Sequence, residues 1–168
     1  MKKILFIMLS MMATINAMAD SSVKSGDVKV LKDTSATFSV EFDFTNTNVE
    51  GKPYKEYLAS RNEEWNRDWP NDMQLGINTF IEKWNKKNKK GMQATNNINA
   101  PYKLVIKPSY IFFGSAALAW TIGFGAGGMK MSGTMELYKG SDKVLTIDVV
   151  DQTGKSMMTE TKRFKSLM

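Results

Sequence analysis

Cysteine and histidine are both absent from this chain. Without cysteine there are no disulfides and no thiol nucleophile, so stability must come from packing alone. Without histidine as well, zinc sites of the usual kind and Ser-His-Asp triads are excluded. Any chemistry would rest on carboxylates, lysine, tyrosine, serine or a hard cation. Proline is scarce too, with four residues in 168. Each one therefore reads as punctuation: Pro53 in a turn, Pro70 at a helix start, Pro101 at a strand start and Pro108 at a strand edge or bulge.

Charge is missing from one place in particular. From Pro108 to Met129 no residue is charged, although 24% of the chain is, and Lys107 and Lys130 close the stretch on either side. The first 19 residues are also almost uncharged. Lys2 and Lys3 precede an apolar run from Ile4 to Met12 that only Ser10 interrupts. Ala17-Met18-Ala19 is a small-x-small cleavage site, so the expectation is a signal peptide over residues 1–19, cut between Ala19 and Asp20. The run is too short to span a bilayer. No cysteine follows it, so no lipid anchor is expected. The formal charge of +6 falls to +4 when two lysines leave with the peptide. Residues 20–168 are enough for a single α+β domain with a real core, centred on about 28–154, with 155–168 as a short C-terminal extension. The destination is periplasmic or extracellular.

Along the chain, residues 20–26 are polar and small and read as a flexible N-terminus. Val28 and Val30 open an alternating pattern that becomes strict at Phe38, Val40, Phe42 and Phe44, against Ser39, Glu41, Asp43 and Thr45. Period two over this length predicts a half-buried strand. Tyr57, Leu58, Arg61 and Trp65 have the spacing of a short helix. The main helix is expected from Asp68-Trp69-Pro70, with Met73, Ile77, Phe80, Ile81 and Trp84 on one face. Gly91 is its expected left-handed stop. Lys83, Lys86, Lys87, Lys89 and Lys90 crowd the carbonyl end of that helix, which favours cations. They read as a solvated helix end, with a polyanion-binding patch as the alternative.

Residues 92–100 read as a loop. Tyr102, Leu104 and Ile106 begin the next strand, followed by Met129 to Leu137 and by Leu145, Ile147 and Val149. Lys139 to Lys143 is the hairpin loop between the last two. Asp151 to Gly154 is a closing turn, and Met157, Thr161, Phe164 and Met168 allow a short terminal helix. The expected fold is a two-layer α+β sandwich in β-α-β-β-β order. About four antiparallel or mixed strands carry one main helix on one face. Phe38, Val40, Phe42, Phe80, Trp84, Leu104, Ile106, Leu137, Leu145 and Ile147 should form the core.

Three patterns carry functional readings. Gly123 to Gly128 satisfies G-x-G-x-x-G, but strand-like residues follow it where a dinucleotide fingerprint needs a helix. No cofactor is expected. Trp65 and Trp69 beside Glu63, Glu64, Asp68 and Asp72 would serve a carboxylate-dependent glycan-active enzyme or a glycan-binding protein. The acids argue against nucleic acid, and a solvated helix entrance explains them as well. The uncharged stretch itself is broken by five glycines and Pro108, which weakens a spanning helix. It is long and apolar between two well-patterned strands, so Leu118, Trp120, Ile122 and Phe124 are the candidate interaction residues. Their expected partner is an envelope protein or a membrane surface, and a homo-oligomer is compatible.

The segments Tyr102 to Gly114, Ile122 to Gly127 and Ile147 to Gly154 together resemble small Gram-negative envelope proteins of unknown function. These include modules distantly similar to the curli-secretion lipoprotein. The resemblance covers Phe38 to Gly154 in order. It implies the same β-α-β-β-β sandwich and a non-enzymatic envelope role, without the lipid-bearing cysteine.

Overall fold

The computed structural model describes residues 20–114 and 129–153. Its centre is a mixed sheet of eight strands with one long helix. In chain order the elements are β1 (Asp20–Gly26), a 3-10 turn (Val28–Lys32), β2 (Thr37–Phe42), β3 (Asn48–Val49) and β4 (Lys52–Pro53). Then come α1 (Tyr54–Ala59), α2 (Glu63–Lys87), β5 (Gln93–Thr95), β6 (Tyr102–Phe112), β7 (Lys130–Lys139) and β8 (Asp142–Thr153). The sheet runs β1-β8-β7-β6-β2-β5. β3 continues along the same edge of β6 that β2 occupies, and β4 pairs with β3.

The expected β-α-β-β-β order is present as β2-α2-β6-β7-β8. The four-stranded count is corrected to eight, because β1, β3, β4 and β5 are edge or fragment strands. Two- and three-residue strands are too short to display a period. β1 is polar because it lies at the edge, where its backbone takes hydrogen bonds from β8 while its side chains meet water. Residues 20–26 are therefore a strand and not a flexible tail. Val28 and Val30 lie in the 3-10 turn, opened by Asp27, whose carboxylate accepts from the Lys29 N–H at 2.9 Å. The expected loop over residues 92–100 contains β5, parallel to β2. Asn85 holds that strand by giving a hydrogen bond to the Ala94 carbonyl and taking one from its N–H.

Registered rows explain the core. Val40, Leu104, Leu137 and Leu145 lie side by side across four strands. The next row is Phe42, Ile106, Met135, Ile147 and Val23. The face these rows make is covered by α2. Trp84 meets Phe38 edge-on at 5.1 Å and stacks on Phe80 at 5.8 Å. Of the ten expected core residues, Phe38, Leu104, Ile106, Leu137, Leu145 and Ile147 are buried, while Val40, Phe42, Phe80 and Trp84 pack against them half-buried.

α2 begins at Glu63, five residues before the expected start. Asn62 caps it, accepting from the Trp65 N–H at 2.8 Å. Pro70 is consequently inside the helix. It lies on the exposed side, where water can serve the carbonyl that proline leaves without a donor. The helix ends on Asn88, and Gly91 does not take the left-handed conformation expected of it. Gly91 is needed for close approach instead. A Cβ there would sit 2.6 Å from the Leu31 carbonyl oxygen, beside the hydrogen bond from Met92 N–H to that same oxygen.

Pro108 sits within β6, at a register shift between Pro108 and Tyr110. The bulge is what admits proline to a strand with neighbours on both edges. Opposite it, a Cβ on Gly133 would lie 2.3 Å from the Lys107 carbonyl oxygen. The β7–β8 connection is a two-residue turn, Gly140-Ser141, tighter than the five-residue loop expected. Gly140 takes φ 59° to make it. β8 runs on through Asp151 to Thr153, where a closing turn was expected. The expected terminal helix lies outside the described residues.

Phe38→Ala should destabilise the fold by about 3–5 kcal/mol, read from the urea midpoint, because its ring is fully enclosed. Trp84→Phe keeps the ring packing but loses the bond from Trp84 Nε1 to the Met92 carbonyl at 2.7 Å. It should cost about 1 kcal/mol.

Candidate functional site

Two features could carry function: the root of the uncharged stretch on the helix-covered side of the sheet, and a charged cluster on the opposite face.

The stretch leaves β6 and returns as β7. These two strands are antiparallel neighbours, paired up to Phe112 with Lys130. Residues 113–129 join them, a connection of 130 − 112 − 1 = 17 residues. Both ends are pinned: Phe113 is 1% exposed and Met129 fully enclosed. Leu118, Trp120, Ile122 and Phe124 lie outside the described residues, as does Ala19. Asp20 is the first residue of β1.

The root is set into an aromatic wall. Phe113 stacks on Tyr57 at 5.7 Å and meets Trp69 edge-on at 5.6 Å and Trp65 at 6.3 Å. Trp65 and Trp69, one helical turn apart on α2, stack at 4.8 Å. Arg61 places its guanidinium 5.0 Å from the ring centroids of both Tyr57 and Trp65. Trp69 Nε1 donates to the Tyr54 hydroxyl at 2.7 Å, and Phe44 stacks on Tyr54 at 4.6 Å. Phe42 continues the row at 5.5 Å from Phe44. Rings from β2, the segment after it, α1 and α2 thus form one continuous surface around Phe113.

The two tryptophans read as a glycan platform are packed into this wall. Trp69 is buried at 6% exposure, and Trp65 spends its face on Trp69. Glu63, Glu64 and Asp68 are exposed in the first turns of α2, where the positive end of the helix dipole favours acids. Asp72 is half-buried. None of the four lines either of the two surface depressions described below. Among the described residues no three carboxylates gather closely enough to hold a metal ion, and no helix is long and apolar enough to cross a membrane. The sequence reading missed Tyr54, Tyr57 and Phe113 as parts of this wall. Their aromatic character was visible, but their meeting depends on where α1 packs.

On the opposite face of the sheet, Glu136 is the centre. It is 8% exposed on β7, level with Val105 of β6 and Thr146 of β8. Lys143 donates to its Oε1 at 2.9 Å, while Lys107 at 2.8 Å and the Tyr138 hydroxyl at 2.5 Å engage Oε2. Burial works to raise the Glu136 pKa, but these three donors outweigh it and lower it to about 2. Lys107 is raised in return, chiefly by its hydrogen bond to Glu136. A carboxylate held this low is a poor proton carrier near neutrality. Its work is to tie β6, β7 and β8 together on this face.

A shallow depression of about 780 Å³ lies beside the cluster. Lys103, Lys107 and Tyr138 line it on one side, with Phe42, Phe44 and Tyr54 on the other. Lys103 pairs with Glu41 at 3.3 Å and Lys107 reaches Asp43 at 3.9 Å, so its charges are largely matched within the wall. A second depression of about 460 Å³ flanks the bulge at Pro108 and Gly133.

No family model and no curated protein matches the chain. Among solved structures it is similar to PelC from Paraburkholderia phytofirmans, crystallised as a dodecamer. That match has 13% identity and a TM-score of 0.42, covering 89% of this chain and 91% of PelC. A Leu-to-Met variant of the same dodecamer matches at 12% identity and a TM-score of 0.41, over 89% and 90% of the two chains. A DUF330 protein from Xanthomonas campestris matches at 12% identity and a TM-score of 0.32, over 90% and 87%. These likenesses are loose at every one of those scores.

The Glu136 cluster makes a pH-dependent contribution with a definite sign. Its folded pKa lies below the ordinary value of 4.5, so the stabilisation is present above that value and is lost as pH falls towards about 2. Urea midpoints of the native chain should therefore drop between about pH 4.5 and 2, and Glu136→Gln should show a shallower drop over that window. At pH 7 the same substitution should cost about 1–3 kcal/mol, because it weakens three hydrogen bonds to a charged acceptor.

Proposed function

We propose that this chain is an exported bacterial envelope protein that works as a non-catalytic binding or assembly module. In this reading the uncharged, glycine-rich segment is the contact surface, and Leu118, Trp120, Ile122 and Phe124 dock onto a partner in the envelope. The observation that carries it is the pinning of the segment. A 17-residue connection is far longer than a hairpin needs. It carries no charge, both of its ends are buried, and Phe113 at one of them packs into a preformed aromatic wall. A surface of that kind presents an apolar segment from a rigid base, which lowers the ordering cost of binding. The glycines permit close approach of the partner's backbone.

Export rests on the first 19 residues, and the fold is compatible with it. Cleavage after Ala19 would leave Asp20 as the first residue of β1, so every described strand is kept. The absence of both histidine and cysteine accords with a binding role. Self-association through the same segment is one form this docking can take.

Two measurements test the proposal. Intact mass of protein recovered from the periplasmic fraction should correspond to a chain starting at Asp20. A retained leader would refute the export reading. Leu118→Ser combined with Trp120→Ser should leave the urea midpoint within about 0.5 kcal/mol of native, as surface changes do. The same variant should sharply reduce self-association or crosslinking to envelope proteins. Loss of folding in the double variant would show that the segment is core.

A further inference from the structure

The end of the sheet opposite Phe112 and Lys130 gathers lysines from four separate parts of the chain. Thr37, Gln93, Tyr102, Lys139 and Asp142 mark one end of the sheet, by strand register. The carbonyl end of α2, with Lys86, reaches the same end, as does the loop carrying Lys89 and Lys90. The 3-10 turn is stitched to that loop through the bond from Met92 N–H to the Leu31 carbonyl, which places Lys29 and Lys32 beside it. The β7–β8 hairpin adds Lys139, whose charge is felt by Asp33 and whose ammonium lies 5.5 Å from the Tyr102 ring. Four carboxylates lie near these six lysines: Asp142 opposite Lys139, Glu82 one turn before Lys86 on α2, and Asp27 and Asp33. Asp27 pairs with Lys29 at 3.7 Å, and Asp33 accepts from the Ser35 N–H and hydroxyl. Among the described residues, Lys32, Lys86, Lys89 and Lys90 have no carboxylate partner.

The loop between β5 and β6, two strands that both begin at this end, exposes an apolar side chain. Ile98 is 86% exposed, the most exposed of the large hydrophobic residues described. Its loop, from the end of β5 to Tyr102, is held as a tight turn. Asn97 N–H donates to Thr95 Oγ1 at 3.1 Å, Asn99 N–H to Asn97 Oδ1 at 3.0 Å, and Ala100 N–H to the Asn97 carbonyl at 3.1 Å. The loop starts against α2, where Asn96 donates to Asn78, and ends at Tyr102, whose ring lies beside the Lys139 ammonium.

We propose that this end, with Lys32, Lys86, Lys89, Lys90 and Ile98, docks on the phosphate-bearing surface of an anionic lipid bilayer. Each lysine near such a surface adds electrostatic attraction. An aliphatic side chain on a fixed turn can enter the boundary between headgroups and acyl chains. Ile98 also separates lipid from nucleic acid, since it has no ring on which a base could stack. α2 is 25 residues long, so its two ends lie about 37 Å apart. Docking by the lysine end therefore turns Gly114 and Met129 away from the bilayer, leaving the uncharged segment free for another partner. The inference is independent of what that segment binds.

The test is co-sedimentation of the full-length chain, as recovered from cells, with vesicles of phosphatidylcholine alone or mixed with phosphatidylglycerol. Binding should favour the anionic vesicles about tenfold and weaken at high salt. Lys89→Glu with Lys90→Glu should reduce it about tenfold further, and Ile98→Ser about threefold. Lys52→Glu with Arg67→Glu makes the same change in net charge at the other end, and should leave binding within about twofold. Equal effects of the two double variants would overturn the proposal, since net charge alone would then explain binding. So would loss of vesicle binding in the Leu118→Ser, Trp120→Ser variant, which would place the lipid contact in the uncharged segment. Soluble polyphosphate or RNA bound as tightly as the anionic vesicles would overturn the lipid assignment in favour of a free polyanion.

Discussion

Strand β6 offers one edge to β7 along its whole length and the other to two strands in succession. β2 takes Tyr102 to Ile106, and β3 takes Tyr110 and Ile111. Between those two partners the strand must bend, and it does so at Pro108, where β6 has no N–H to give. The Thr47 hydroxyl reaches across to the Pro108 carbonyl at 2.7 Å and closes the gap. Gly133 lies against the bulge from the other side, with no room for a Cβ. Everything beyond depends on this bend. It sets the direction in which the end of β6 delivers Phe113 to the aromatic wall, and so where the uncharged segment begins.

The two faces of the sheet then use different physics. On the helix side, rows of aliphatic and aromatic residues are buried under α2, and the hydrophobic effect dominates. On the other side a single carboxylate is enclosed by two ammonium groups and a phenol. A buried carboxylate is costly unless it is paired and hydrogen-bonded. Glu136 meets both conditions, with each oxygen engaged. Removing one partner would leave the charge under-served, so the cluster holds three strands in a specific register as well as contributing stability.

Charge is also distributed along the molecule. Acids cluster at the amino end of α2 and lysines at its carbonyl end, each where the helix dipole favours them. The fold extends this pattern at the lysine end by bringing the 3-10 turn and the β7–β8 hairpin alongside. The result is a chain with an uncharged segment rooted at one end and a cationic surface at the other.

Strands β2, β6, β7 and β8 and the body of α2 were legible from residue order, because period two and period 3.6 are local properties of the chain. Pro108 was legible as a strand edge or a bulge, and only the pairing of β6 on both sides decides for the bulge. The uncharged segment could be recognised as unusual from composition alone. Other features needed the tertiary structure. β1, β3 and β5 are strands only because a neighbour supplies their hydrogen bonds, and their own residues carry little pattern. The start of α2 was misread because Pro70 resembles a first-turn proline, whereas Asn62 supplies the cap. Trp65 and Trp69 looked available for a ligand until α1 and Phe113 were seen to occupy them. The lysine end shows the same limit most plainly. The cluster after residue 82 was visible in sequence as a solvated helix end. Lys29, Lys32, Lys139 and Ile98 join it only through contacts between segments far apart in the chain. Local sequence sets periodicity and capping, but which side chains share a surface is decided by long-range pairing.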